Sequence, residues 1–176
     1  MRARLLLLPL SPLALCAPAY AITYLTVEQA QTLMFEGAVL TRDSRTLTAA
    51  EVQAIEADAG VKVANPQVHA WRDQAGGWFI LDQVIGKHEF INYAIALDAT
   101  GTLRQLEILD YHESYGGEVH LPAWRRQFVG KRHGAALQIN SDIKNISGAT
   151  LSCTHVTDGV RRLLATYALV LAPAAH

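Results

Sequence analysis

The stretch that decides the fold is 90–109, F-I-N-Y-A-I-A-L-D-A-T-G-T-L-R-Q-L-E-I-L. Ile91, Tyr93, Ile95 and Leu97 alternate with Asn92, Ala94 and Ala96. This period of two places one set on each face of a strand. D-A-T-G then supplies turn chemistry, because aspartate bonds its own downstream backbone and glycine accepts a positive φ. After it, Leu103, Leu106 and Ile108 mix with Arg104, Gln105 and Glu107. The pattern predicts an antiparallel hairpin, 90–97 with 103–109, with one buried face.

Working outward, a second hairpin precedes this one. Strands over 68–72 and 78–84 flank D-Q-A-G-G. Two helices are predicted before the strands. Thr26 with Gln29 and Thr48 with Glu51 are capping boxes, and Gly60 is a helix stop. Downstream, 110–119 is a loop, and P-A-W-R-R-Q-F over 122–128 opens a short helix with proline at its start. The segment 140–150 is polar and turn-rich. A last helix is expected over 154–172, where Val156, Val160, Leu163, Leu164, Tyr167 and Leu171 form an apolar stripe. Helices before and after a sheet of hairpins make the fold class α+β.

The N-terminus carries the pattern of an export leader. Arg2 and Arg4 precede an apolar run over 5–17, and Ala19-Tyr20-Ala21 offers small residues to a signal peptidase. Cleavage is expected after Ala21, leaving 22–176 as a single domain. The run falls short of the roughly 20 apolar residues of a membrane span, and Pro9, Pro12 and Pro18 interrupt it. The mature chain keeps one cysteine, Cys153, so no disulfide framework is available. The formal net charge of −1 and the lack of like-charge blocks give no nucleic-acid footprint.

The stretch with chemical content is I-S-G-A-T-L-S, 146–152. Gly148 and Ala149 allow a close approach to the backbone. A helix beginning just after them presents free N–H groups and partial positive charge, which suits a phosphate. Thr150 adds a hydroxyl. A turn with a cap is the plain alternative for the same residues. His155 reads as a surface position of the helix. His69, His88, His112, His120 and His133 lack metal-ligand spacing, and the chain has no G-x-S-x-G elbow or G-x-G-x-x-G fingerprint.

I-S-G-A-T-L-S resembles the flavinylation motif of the FMN-binding domain family, found in covalent-flavin subunits of the sodium-pumping NADH:quinone reductase and the Rnf complex and in small exported proteins. Three further segments are similar in the same order: 93–110, the loop H-E-S-Y-G-G over 112–117, and Q-F-V-G-K over 127–131. The resemblance covers about 88–168. It implies FMN joined through its phosphate to Thr150, with Ser147, Gly148, Ala149, Leu151 and Ser152 around the phosphate. It also implies Glu113, Ser114, Tyr115, Gly116 and Gly117 along the flavin. Tyr115, Trp124, Trp71 and Trp78 are candidate stacking residues, although for each one alone ordinary core packing is the stronger reading.

In that family a magnesium-dependent flavin transferase supplies FMN from FAD, so the chain needs no catalytic residue or resident metal of its own. The implied role is an exported, periplasmic electron carrier working between a membrane-associated redox protein or respiratory complex and a second partner. Two other readings fit the residues: a module holding FMN or another small ligand without a covalent bond, and a structural subunit of a respiratory complex. The chain departs from the family pattern at Lys144, where the family has an acid, with Asp142 two residues earlier. It departs again in the loop, where Glu113 directly follows His112 and Ser114 stands for threonine. The leader replaces the usual membrane helix.

Overall fold

The structure is a computed structural model that describes residues 22–113 and 116–172. The expected leader, 1–21, lies outside the described residues, as do Ser114 and Tyr115. The elements run β1 (Ile22–Thr23), α1 (Val27–Phe35), β2 (Thr41–Arg42), β3 (Arg45–Thr46), α2 (Ala49–Ala59), β4 (Gln67–Arg72), β5 (Trp78–Ile85), β6 (Phe90–Leu97), β7 (Leu103–Tyr111), α3 (Pro122–Arg125) and α4 (Thr150–Thr166). The strands form one antiparallel path, β1-β7-β6-β5-β4-β2, with β3 also paired to β4. Fold class α+β is what the sequence predicts.

Both capping boxes form. Thr26 Oγ1 accepts from the Gln29 N–H while Gln29 Oε1 accepts from the Thr26 N–H. Thr48 and Glu51 exchange the same pair of bonds. Gly60 ends α2 in the left-handed region. In the D-A-T-G turn, Asp98 Oδ1 accepts from the N–H groups of Thr100 and Thr102. Gly101 at φ +78° leaves room for the Tyr167 ring, whose Cε1 would lie 2.1 Å from a Cβ there.

The central hairpin corrects the expectation of a single buried face. Along β6 and β7 one face presents Ile91, Tyr93, Ile95 and Leu97 against Tyr111, Ile108, Leu106 and Leu103. This face packs on Val156, Val160, Leu163 and Leu164 of α4. The opposite face is also buried: Phe79, Ala94, Ala96 and Leu109 meet Ala30, Met34 and Phe35 of α1. Small residues at 94 and 96 give α1 room to approach, so their modest hydrophobicity hid a second interface. The register shifts twice along β7, which inserts Arg104 and Leu109 as bulged residues.

The outer edge of β7 is covered. β1 pairs at Asp110 and Tyr111. Lower down, Gly130 N–H donates to the Leu103 carbonyl and Leu103 N–H to that of Lys131. Arg125 forms a buried ion pair with Glu107. The segment after β7 is thereby held against the sheet and brought to the start of α4.

The last helix begins at Thr150, four residues earlier than expected, and passes into a π-helical turn at Tyr167–Leu171. Its first backbone bond runs from the Cys153 N–H to the Ala149 carbonyl. The apolar stripe extends back through Cys153 and Ala149, both buried in the main core, and this packing outweighs the weak helix preference of T-L-S-C-T. Midway, a Cβ on Gly159 would lie 2.4 Å from the Tyr93 hydroxyl oxygen and 2.9 Å from Val84 Cγ1, so α4 rests directly on β5 and β6.

Candidate functional site

The start of α4 presents an open corner. Ala149 is the N-cap residue and offers no side-chain cap, so the N–H groups of the first turn are left for another acceptor. Ala149 is buried, whereas Ser147, Gly148, Thr150 and Leu151 are exposed. Gly148 sits at φ +85° with nothing within 4 Å of an added Cβ. Free donors, a small-residue approach and the positive end of a 17-residue helix combine to suit a phosphate ester.

The rest of the predicted motif splits into two functions. Ser152 is buried, and its Oγ lies 2.8 Å from the Tyr111 hydroxyl at the end of β7. Gly116 packs onto this bond at φ +88°. A Cβ there would lie 2.7 Å from Tyr111 Oη, 3.0 Å from Ser152 Oγ and 3.3 Å from Ala149 Cα. Loop 112–117 and the motif thus meet through Gly116. Gly117 borders Tyr24, which stacks on His120 with ring centroids 4.4 Å apart.

Glu113 faces the β5–β6 turn. Its carboxylate accepts from the backbone N–H of Glu89 at 2.9 Å and from that of His88. Burial pushes its pKa up, but the N–H groups of Glu89, His88 and Lys87 outweigh it and hold the carboxyl below its ordinary value. Gly86 gives the carboxylate space, since a Cβ there would lie 2.8 Å from Glu113 Oε1.

The 127–131 segment clamps the chain leading into the motif. Gln127 Oε1 accepts from the Lys144 N–H at 2.7 Å, and Trp124 Nε1 donates to the Lys144 carbonyl at 2.9 Å. Lys131 pairs with Asp142 at 2.9 Å. Asp142 also accepts from the Leu137 and Gln138 backbone. Its carboxyl is raised by burial, yet Lys131 and these donors bring it below its ordinary value. Asp142 is therefore engaged within its own loop, and the Lys144 side chain is exposed.

Trp124, Trp71 and Trp78 are packing residues. Trp124 is buried edge-on to Phe128, Trp71 edge-on to Phe79, and Trp78 is buried under Arg72. Cys153 is fully buried, and burial raises its thiol pKa, which makes it unreactive. His155 departs from its surface reading. It is half-buried, and Nδ1 lies 2.5 Å from the Ile85 carbonyl and 2.9 Å from that of Gly86. Two facing carbonyls require that nitrogen to carry a proton.

Two groups escaped the sequence reading. Asn145 Nδ2 donates to Thr150 Oγ1 at 3.0 Å. A half-buried network joins Tyr93, Asp82 and Arg162, with Tyr93 Oη donating to Asp82 at 2.7 Å and Arg162 Nη2 at 2.5 Å. Burial and the Asp82 charge push the Tyr93 pKa up. The network borders a cavity of 540 Å³ that opens where β4 leaves β5, lined also by Asn65, Gln67, Gln83, Phe90 and His155. None of residues 147–152 lines it, so its size does not mark the same place as the exposed hydroxyl. Among the described residues, no cluster of three His, Cys, Asp or Glu side chains could hold a metal, and no helix is long and apolar enough to cross a membrane.

A comparison with curated proteins gives no match. The family model described as the FMN-binding domain matches residues 86–165, which include Glu113, the 127–131 clamp and Thr150. The exposed phosphate-ready corner at Thr150 lies inside this matched region, and residues 86–165 form an FMN-binding domain.

Proposed function

We propose that the protein is an exported electron-transfer flavoprotein, with FMN attached through a phosphoester to Thr150. The observation that carries this reading is the exposed Thr150 hydroxyl on the first, uncapped turn of α4, beside open Gly148 and within the matched domain. The residues fit the group. The backbone of Ser147, Gly148 and Ala149 with the first-turn N–H groups would hold the phosphate, and Leu151 would flank it. The loop 112–117, joined to the motif at Gly116, would border the flavin. Bound FMN supplies one- and two-electron redox chemistry, and the protein tunes it.

Among the described residues no basic side chain hydrogen-bonds Thr150, and a threonine hydroxyl is a weak nucleophile alone. This supports attachment by a separate magnesium-dependent flavin transferase that consumes FAD. A covalent tether keeps the cofactor from being lost outside the cytoplasm, which agrees with the leader pattern. The chain would relay electrons between a membrane-associated redox protein or respiratory complex and another exported partner. Lys144 in place of the family's acid favours a second reading, a module that holds FMN without the ester.

Intact mass and in-gel fluorescence after denaturation separate the two. Protein exported from cells containing a flavin transferase is expected to be heavier by FMN less one water. It should fluoresce on a denaturing gel, and Thr150→Ala should abolish both signals. An unmodified mass together with FMN released on denaturation would establish the non-covalent module instead.

A further inference from the structure

We propose that Asn145 is the positioning residue for modification of Thr150, an inference that rests on Thr150 being the attachment point. Two independent observations carry it. Asn145 Nδ2 donates to Thr150 Oγ1 at 3.0 Å. At the other end of the same amide, Oδ1 is buried and has no hydrogen-bond partner among the described residues. A buried acceptor without a donor lowers stability, so an asparagine kept only for structure would be bonded at both ends or replaced by an apolar residue. The one bond this amide makes goes to the hydroxyl that must react.

The geometry shows how it acts. The residue before Asn145 is gripped through both backbone groups by Gln127 and Trp124. The residue after it accepts the Ala149 N–H in the turn that opens α4. Asn145 therefore sits on a fixed backbone and fixes the Thr150 side chain in turn. Its N–H occupies one lone pair of Oγ1 and turns the hydroxyl proton away from Asn145. The second lone pair stays open toward solvent. Asparagine has no basic atom to take the proton, so the base belongs to the transferase.

In the step served, Thr150 Oγ1 forms a bond to the FMN-side phosphorus of FAD. The anhydride P–O bond breaks, AMP leaves with the bonding pair, and the hydroxyl proton passes to the transferase. Holding Oγ1 in line is a contribution from orientation and is felt in the rate of the bound complex. Neither Asp142, bound to Lys131, nor exposed Lys144 has a hydrogen bond to Thr150.

The test uses the mature protein, FAD, magnesium and a flavin transferase shown to modify a control acceptor. Initial rates of adduct formation are read by intact mass for wild type, Asn145→Leu and Thr150→Ala, and melting temperatures are taken on the unmodified proteins. The expected result is a fall in kcat of tenfold or more for Asn145→Leu, with KM for the acceptor protein unchanged. Its melting temperature should equal or exceed wild type, because the unpaired Oδ1 is gone. Asn145→Ala replaces it in the rate assay if the leucine variant does not fold. Wild-type kcat in the variant, or a fall in kcat accompanied by a lower melting temperature in both variants, overturns the proposal and leaves attachment at Thr150 intact. No adduct on wild type, or an adduct that survives Thr150→Ala, overturns the attachment reading and this proposal with it.

Discussion

Tyr111, the last residue of β7, and Ser152, in the first turn of α4, share a buried hydrogen bond of 2.8 Å. It joins the end of the central hairpin to the helix that presents Thr150. Ser152→Ala should cost about 1 kcal/mol, the ordinary worth of such a bond. Denaturant unfolding followed by tryptophan fluorescence measures it. Because the bond ties the first turn of α4 to the end of β7, the same variant should also take up FMN more slowly.

Gly116 is the contact between loop 112–117 and the motif. Gly116→Ala combines a left-handed backbone with a Cβ placed 2.7 Å from Tyr111 Oη. A loss of about 2–4 kcal/mol follows from the two penalties together. The FMN content of the purified variant should fall alongside its unfolding midpoint. A variant of wild-type stability would show that the loop can leave the motif without cost.

Glu113 gives a pH dependence with a definite sign. Its folded pKa is depressed by the backbone N–H groups that its carboxylate accepts, working against burial. The stabilisation is fully present above the unfolded-state carboxylate pKa and is lost as pH falls through the lower folded value. The stability gap between wild type and Glu113→Gln should be about 1 kcal/mol near neutrality. It should close under acid conditions, and unfolding midpoints across a pH series check this. A gap that widens toward low pH would contradict the assignment.

The close approach of α4 to the sheet predicts a coupled pair. Gly159→Ala should destabilise by about 1–2 kcal/mol, overpacking being partly offset by the better helix preference of alanine. Tyr93→Phe removes the hydroxyl 2.4 Å from that Cβ and also its bond to Asp82. The double variant should therefore lose less than the two single losses added together. A double-mutant cycle with additive losses would show that α4 shifts to relieve the overlap.

Much of this architecture is legible in the sequence because it is locally encoded. The capping residues Thr26 and Thr48, the Asp98 turn and the period of β6 each act within a few positions of themselves. The second buried face of β6 was hidden because Ala94 and Ala96 read as neutral until α1 lies on them. The start of α4 was misplaced for a related reason: tertiary burial of Ala149 and Cys153 decides it, against local preference. The short strands β1, β2 and β3 carry too few residues to show a period. At the site, Thr150 and Gly148 are visible as a motif. Asn145 and the Tyr111–Ser152 bond are contacts made only once the chain is folded, and a lone polar residue before a turn gives no signal of either.

The clamp on Lys144 grips its N–H and its carbonyl and leaves the side chain in solvent. Any residue with a backbone N–H could occupy position 144 and be held equally well. Fastening and identity are thereby separated at this point of the chain. The charge displayed beside Thr150 can therefore be rewritten without disturbing the scaffold beneath, so position 144 carries identity without carrying structure.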